Sequence, residues 1–166
     1  ESVTRYLLEK VKTRVNLRHA GILGMAFKAD CDDTRNSLSF KLQKQLRGSY
    51  CTPVPVDPYV PEYSDYNRLK RVDALFLMTP HKEFRDLAKI LKIVDNPDCV
   101  ICDMWNFWNE NIELAHDGIY TAREALAQGK TRYTSVRGIA PLREAICDDS
   151  ARRRGGLRHT PGEVVV

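Results

Sequence analysis

Two stretches of this chain leave the fold little freedom. Gly21 to Phe27 (GILGMAF) and Ala74 to Met78 (ALFLM) are apolar runs too short for helices, and a strand without polar alternation has to be covered on both faces. Sheets of that kind are parallel, so their strands need crossover helices. The chain supplies candidates. Ser37 can cap a helix with Leu38, Leu42 and Leu46 on one side, stopped by Gly48. Thr79-Pro80 reads as an N-cap and first-turn proline opening a helix with Phe84, Leu87, Ala88 and Leu91 in one stripe. Thr52 to Val56 contains two prolines, which puts it at a sheet margin. A polar helix is expected near Ser64 to Arg71, and Val100 to Asp103 adds a further strand. Ahead of all this, Val3, Leu7, Leu8, Val11 and Val15 recur at helical spacing and predict an amphipathic helix over 2–15. The expected class is α/β, a parallel sheet with helices on both faces, preceded by that helix. Beyond Trp108 strands are no longer expected, and a helical extension with helices over 112–127 and 141–154 follows.

Composition excludes several classes. With 43% hydrophobic and 29% charged residues and no long apolar run, the chain is neither a disordered tail nor a membrane protein. ESVTRYLLEK has none of the order of a secretory signal, so a cytoplasmic location is expected. Five cysteines without an export signal read as reduced thiols. Cys99 and Cys102 have C-x-x-C spacing, but a strand points them to opposite faces, and no second pair completes a metal site. The net charge of +4 is modest. Its densest cluster, Arg152 to Arg154, follows Asp148 and Asp149 and reads as a solvated helix face, so no nucleic-acid partner is expected.

GMAFKADCDDTRNS, residues 24–37, packs Lys28, Arg35, Asp30, Asp32 and Asp33 between an apolar strand and a helix start. Ligands of open α/β sheets sit outside the carboxyl ends of strands. A helix N-terminus favours an anion, Lys28 and Arg35 add fixed cations, and the acids would hold those cations in one geometry. A phosphate or diphosphate is the partner implied. The alternative is a surface ion-pair cluster that caps the helix. Gly21 and Gly24 do not form G-x-G-x-x-G, so a nicotinamide site has no support here.

ILGMAFKADCDDTRNS resembles the opening of the C-terminal, UDP-binding domain of the UDP-glucose/GDP-mannose dehydrogenases, and VDPYVP at 56–61, ALFLMTPHKEF at 74–84 and CDMWNFW at 102–108 follow in that domain's order. The resemblance implies a Rossmann-like domain over 21–108, with 1–20 as the end of a linker and dimerisation helix. It also implies that Phe27 and Lys28 lie against a nucleotide-diphosphate sugar, and that Arg35 orders the loop or reaches a phosphate. Where many members carry an arginine in Asp-x-Arg-Asn, this chain has Asp103-Met104-Trp105-Asn106, and Trp105 cannot supply that charge. The family oxidises a sugar alcohol to a carboxylate with NAD, through a cysteine and lysine in its N-terminal half. NAD thus belongs to the full enzyme and is not bound by this chain, which is expected to be inactive alone. A homodimer or the missing NAD-binding half is the implied protein partner. Cys31 has no catalytic motif around it, and His19, His81, His116 and His159 have no evident positioned partner.

From Arg123 on, a Gly-Lys-Thr-x-Tyr loop, a Gly-x-x-x-Leu-Arg-Glu-Ala-Ile helix and a Pro-x-Glu-x-Val strand resemble the start of a fold-type I, pyridoxal-phosphate-dependent aminotransferase. That resemblance implies a truncated segment over about 115–166, in which Tyr133 would reach the cofactor phosphate of a partner subunit. The Schiff-base lysine lies farther along in that family, so pyridoxal phosphate is not expected to bind here. A non-catalytic α/β interaction module is the alternative to a sugar-nucleotide domain.

Overall fold

The computed structural model describes residues 3–108 and 118–127. Five strands form one sheet: β1 (His19–Leu23), β2 (Thr52–Val56), β3 (Ala74–Leu77), β4 (Val100–Cys102) and β5 (Ile119–Thr121), in the order β2-β1-β3-β4-β5. The first four are parallel and β5 runs antiparallel to β4. Side-chain alternation divides the core into two halves. Ala20, Ile22, Ala74, Phe76, Val100 and Cys102 face α1 (Val3–Lys12) and α2 (Leu38–Gly48). Leu23, Leu75, Leu77, Cys99 and Ile101 face α3 (Leu87–Val94) and Ala125 of α4 (Ala122–Ala127). Leu42 and Leu46 are fully buried, so truncating either to alanine would cost about 2–5 kcal/mol. Gly21 lies under the α3 side, where a Cβ would stand 2.6 Å from Leu75 Cδ2 and 2.9 Å from Leu69 Cδ2.

The sheet margin at Thr52–Val56 is an edge strand, as its prolines require. Cys99 and Cys102 fall in opposite core halves as free thiols, and burial pushes Cys99 up to about 12. Among the described residues no helix is long and apolar enough to cross a membrane.

Several expectations are corrected. β1 ends at Leu23 rather than Phe27, because Gly24 turns the chain with φ +90°. Leu38 is exposed, and Ser39 takes its place on the buried side of α2. Thr79-Pro80 does not open a helix: the Thr79 hydroxyl donates to the Ala26 carbonyl at 2.7 Å, one 3-10 turn forms at Lys82–Phe84, and α3 starts after Asp86, whose carboxylate accepts from Lys89 N–H. Ala88 accordingly lies outside the buried stripe. The polar helix near 64–71 is a single 3-10 turn, Tyr66–Leu69. Strands do not stop at Trp108, since β5 occupies part of the expected 112–127 helix. Gly118 allows that return with φ +69°, at a point where a Cβ would lie 2.6 Å from the Asp103 carbonyl oxygen. The expected helix over 141–154 lies outside the described residues.

Candidate functional site

The chain leaves β1 toward α2 on one face and leaves the adjacent β3 toward α3 on the other. Loops diverging from neighbouring parallel strands open a crevice at their carboxyl ends, the topological switch point of such sheets. Here the walls are the loop 24–37 after β1, residues 78–86 after β3, and the turn 103–108 after β4.

The two central loops meet at Gly24, where a Cβ would sit 2.4 Å from Thr79 Cβ. Only glycine combines that approach with this φ. The segment is then tied down bond by bond. Gly24 N–H donates to the Val56 carbonyl at 2.8 Å, and Ser39 Oγ donates to the Gly24 carbonyl at 2.7 Å. Asp57 Oδ2 accepts from Met25 N–H at 2.6 Å and Ala26 N–H at 3.0 Å, while Oδ1 accepts from Tyr59 N–H at 2.8 Å. His81, fully buried, bridges onward: Nε2 lies 3.0 Å from Asp57 Oδ2, and Nδ1 accepts the Asp30 N–H at 2.9 Å. A backbone amide can only donate, so the ring proton is on Nε2 and the imidazole is neutral. Burial works to raise the pKa of Asp57, yet the bonds from His81, Met25, Ala26 and Tyr59 outweigh it and hold the carboxyl below its ordinary value.

His81 therefore has a positioned partner, contrary to the sequence reading. The signals were the acid closing a strand in VDPYVP and the histidine in TPHKEF. Neither is legible as a pair, because 24 residues separate them.

Of the expected site residues, Phe27 is 55% exposed and Lys28 Nζ stands 6.0 Å from its ring centroid. Arg35 forms a two-pronged pair with Asp33, Nε to Oδ1 at 2.9 Å and Nη2 to Oδ2 at 2.7 Å, and the Asp33 carboxyl falls to about 2 through those bonds, with a smaller contribution from the charge of Lys28. The anticipated clamp of acid on cation is present for that pair. Asp30 departs from it: its Oδ1 accepts from Lys82 N–H at 3.0 Å, beside a Tyr59 hydroxyl that donates to Glu83 Oε1 at 2.9 Å. Lys28 and Arg35 both stand in solvent. A cavity of about 500 Å³ lined by Pro58, Tyr66, Glu83, Lys89, Ile90 and Ile93 lies toward α3 and does not include them. Cys31 Sγ donates to the Lys28 carbonyl. Trp105 is 45% exposed and anchored by Nε1–H to the Met78 carbonyl at 3.1 Å, which sets its ring beside the end of β3. Asp103 beneath it accepts from Phe107 and Trp108 N–H at 2.9 and 3.0 Å; burial nevertheless raises it to about 6. Tyr133 lies outside the described residues.

Residues 21–110 match the model of the UDP-glucose/GDP-mannose dehydrogenase family, UDP binding domain, which takes in every loop of this crevice. The chain belongs to that family. It is 33% identical over 84 residues to the UDP-N-acetyl-D-mannosamine dehydrogenase of Pyrococcus horikoshii, a match covering 48% of this chain and 20% of that protein. Among solved structures, an NDP-N-acetyl-D-galactosaminuronic acid dehydrogenase from Methanosarcina mazei Go1 superposes with a TM-score of 0.50 at 20% identity, over 57% of this chain and 22% of that one, and shares the Rossmann-like fold. The chain thus spans about a fifth of the length of these relatives. A 45-residue stretch is 53% identical to the aspartate/prephenate aminotransferase of Thermus thermophilus, covering 27% of this chain and 11% of that enzyme.

Proposed function

We propose that this chain binds a nucleotide-diphosphate sugar at the β1–β3 crevice, with Phe27 and Lys28 against the nucleotide and Arg35 on a phosphate. In this reading it is the substrate-binding part of an NAD-dependent dehydrogenase that converts a sugar alcohol to a carboxylate. The observation that carries the reading is an exposed aromatic ring followed by an exposed lysine, on a loop immobilised at the switch point within the family-matched segment. Asp33 engages two of the five guanidinium donors of Arg35, which leaves that cation oriented and able to meet a second anion.

The same loop does not fit a dinucleotide. Its glycine fingerprint is absent, and the amides of Met25 and Ala26, which would face a pyrophosphate, already donate to Asp57. Those two amides are therefore not free to meet a diphosphate, and no NAD chemistry is assigned to these residues. The residues at 1–20 are read as the end of a linker helix, and 115–166 as the aminotransferase-like segment.

Calorimetric titration of the 166-residue chain with UDP and with UDP-sugars tests the reading. Saturable heat that free UDP competes away, weakened about tenfold by Lys28→Ala, is the expected result; no heat with either ligand overturns it. A second reading, a non-catalytic interaction module, is favoured by exposed Val3 and Tyr6 on α1 and Leu38 on α2. Light scattering would then show a dimer indifferent to UDP.

A further inference from the structure

We infer that His81 is a positioning residue for the ligand loop, and that its two ring nitrogens act separately, with Nε2 securing the fold and Nδ1 securing the segment that carries Lys28. The bearing on ligand rests on the nucleotide reading above. The ring is fully buried and fixed in plane by Tyr59, 5.0 Å away between centroids, and Phe84, 5.5 Å away. On its Nε2 side it meets Asp57, which already gathers the amides of Met25, Ala26 and Tyr59. On its Nδ1 side it accepts one bond, from the N–H of Asp30, a residue in the left-handed region at φ 57°. The Asp30 carboxylate is taken at the same time by Lys82 N–H, so backbone and side chain of Asp30 are both held by the loop after β3.

Lys28 lies between two fixed points. Phe27 N–H donates to the Asp33 carbonyl at 2.7 Å on one side, and Asp30 is fixed by His81 on the other. A lysine on a fixed backbone loses less freedom on meeting a phosphate than one on a loose loop, which is how pre-organisation raises affinity. The Nδ1 bond thus acts on ligand affinity, whereas the Nε2 bond belongs to the buried cluster at the end of β2.

Two isosteres separate the roles. Glutamine places its side-chain amide near Nε2 and can donate to Asp57, but leaves Asp30 N–H without an acceptor; asparagine places its carbonyl near Nδ1 and loses Asp57. In His81→Gln we expect an unfolding midpoint close to wild type, faster amide exchange at Asp30 with Met25 and Ala26 still protected, and UDP affinity about tenfold weaker, the scale of one hydrogen bond. In His81→Asn we expect a lower midpoint with Asp30 protection and UDP affinity retained. Continued protection of Asp30 in the glutamine variant overturns the inference, as does UDP affinity that follows stability across both variants. If wild type binds no UDP, the nucleotide reading fails by itself, and the exchange pattern still decides whether Nδ1 holds the loop.

Discussion

Asp57 closes β2 and Asp103 closes β4, both are buried, and both collect backbone N–H groups, yet their carboxyls move in opposite directions. Asp57 is held below its ordinary value and Asp103 rises to about 6. Burial opposes the charge at both. The acids differ in how deeply they are desolvated, Asp103 more than Asp57, and in the side-chain donor each meets besides amides. Asp57 has the Nε2–H of His81 at 3.0 Å, whereas the side-chain donor at Asp103 is the Tyr120 hydroxyl at 3.5 Å. A buried carboxylate stays charged only where donors match its lost hydration: at Asp57 the imidazole and amide bonds outweigh the burial, and at Asp103 the deeper burial outweighs the bonds. The ionised acid supports the loop that carries Lys28, and the acid that takes up a proton more readily supports the turn that carries Trp105.

The largest effect should follow from Asp57→Ala. It strands three amide donors and an imidazole N–H in the interior, so a loss of about 3–5 kcal/mol is expected in urea unfolding. Asp103→Ala also strands three amides, but its side-chain donor, the Tyr120 hydroxyl, is 3.5 Å away and the carboxyl it replaces is more readily neutral, so it should cost less. Equal losses would break the contrast.

Next in size is the pH response. Asp103 has a raised folded pKa, so its protonated form is favoured by folding: its contribution is complete below 3.8 and is lost as pH rises through about 6. That rise corresponds to about 3 kcal/mol. Stability of the wild type should therefore decline between about pH 4 and pH 7 relative to Asp103→Asn, which cannot titrate. Asp57 has the opposite sign: its contribution is present above the unfolded value of 3.8 and disappears as pH falls through its lowered folded pKa. Parallel pH profiles for wild type and Asp103→Asn would show that Asp103 is not raised.

Trp105→Arg sharpens the comparison on the ligand side. It places a cation on the turn that carries Asp103, at the cost of the Nε1–H bond to Met78. UDP-sugar affinity should rise by about tenfold, with about 1 kcal/mol of stability lost; unchanged affinity would mean that this turn does not face the diphosphate.

The buried strands, the edge position of Thr52–Val56 and the Ser37 cap could be read from the sequence because each depends on local periodicity or on one residue's geometry. β5 could not: three residues, Ile119–Thr121, carry no period, and their pairing is decided by Gly118 turning beneath the Asp103 carbonyl. Thr79 shows the same limit in another form, since a capping residue next to a proline satisfied the helix rule while its hydroxyl found the Ala26 carbonyl 53 residues earlier in the chain. At the site the charges of the loop were legible as composition. What fixes them, Asp57 and His81, was not, because burial and separation are tertiary properties.

The smallest structural effect should come from the exposed counterpart of the two buried acids, the Asp33–Arg35 pair. Its bonds are short and Asp33 falls to about 2, but the Arg35 side chain is 85% exposed, so solvent screens what the geometry suggests. Arg35→Ala should leave the unfolding midpoint almost unchanged while weakening UDP several-fold and flattening the salt dependence of binding, since one cation fewer meets the phosphates. A midpoint that falls with unchanged UDP affinity would make Arg35 part of a surface ion-pair cluster that caps the helix, the role that the sequence alone left open.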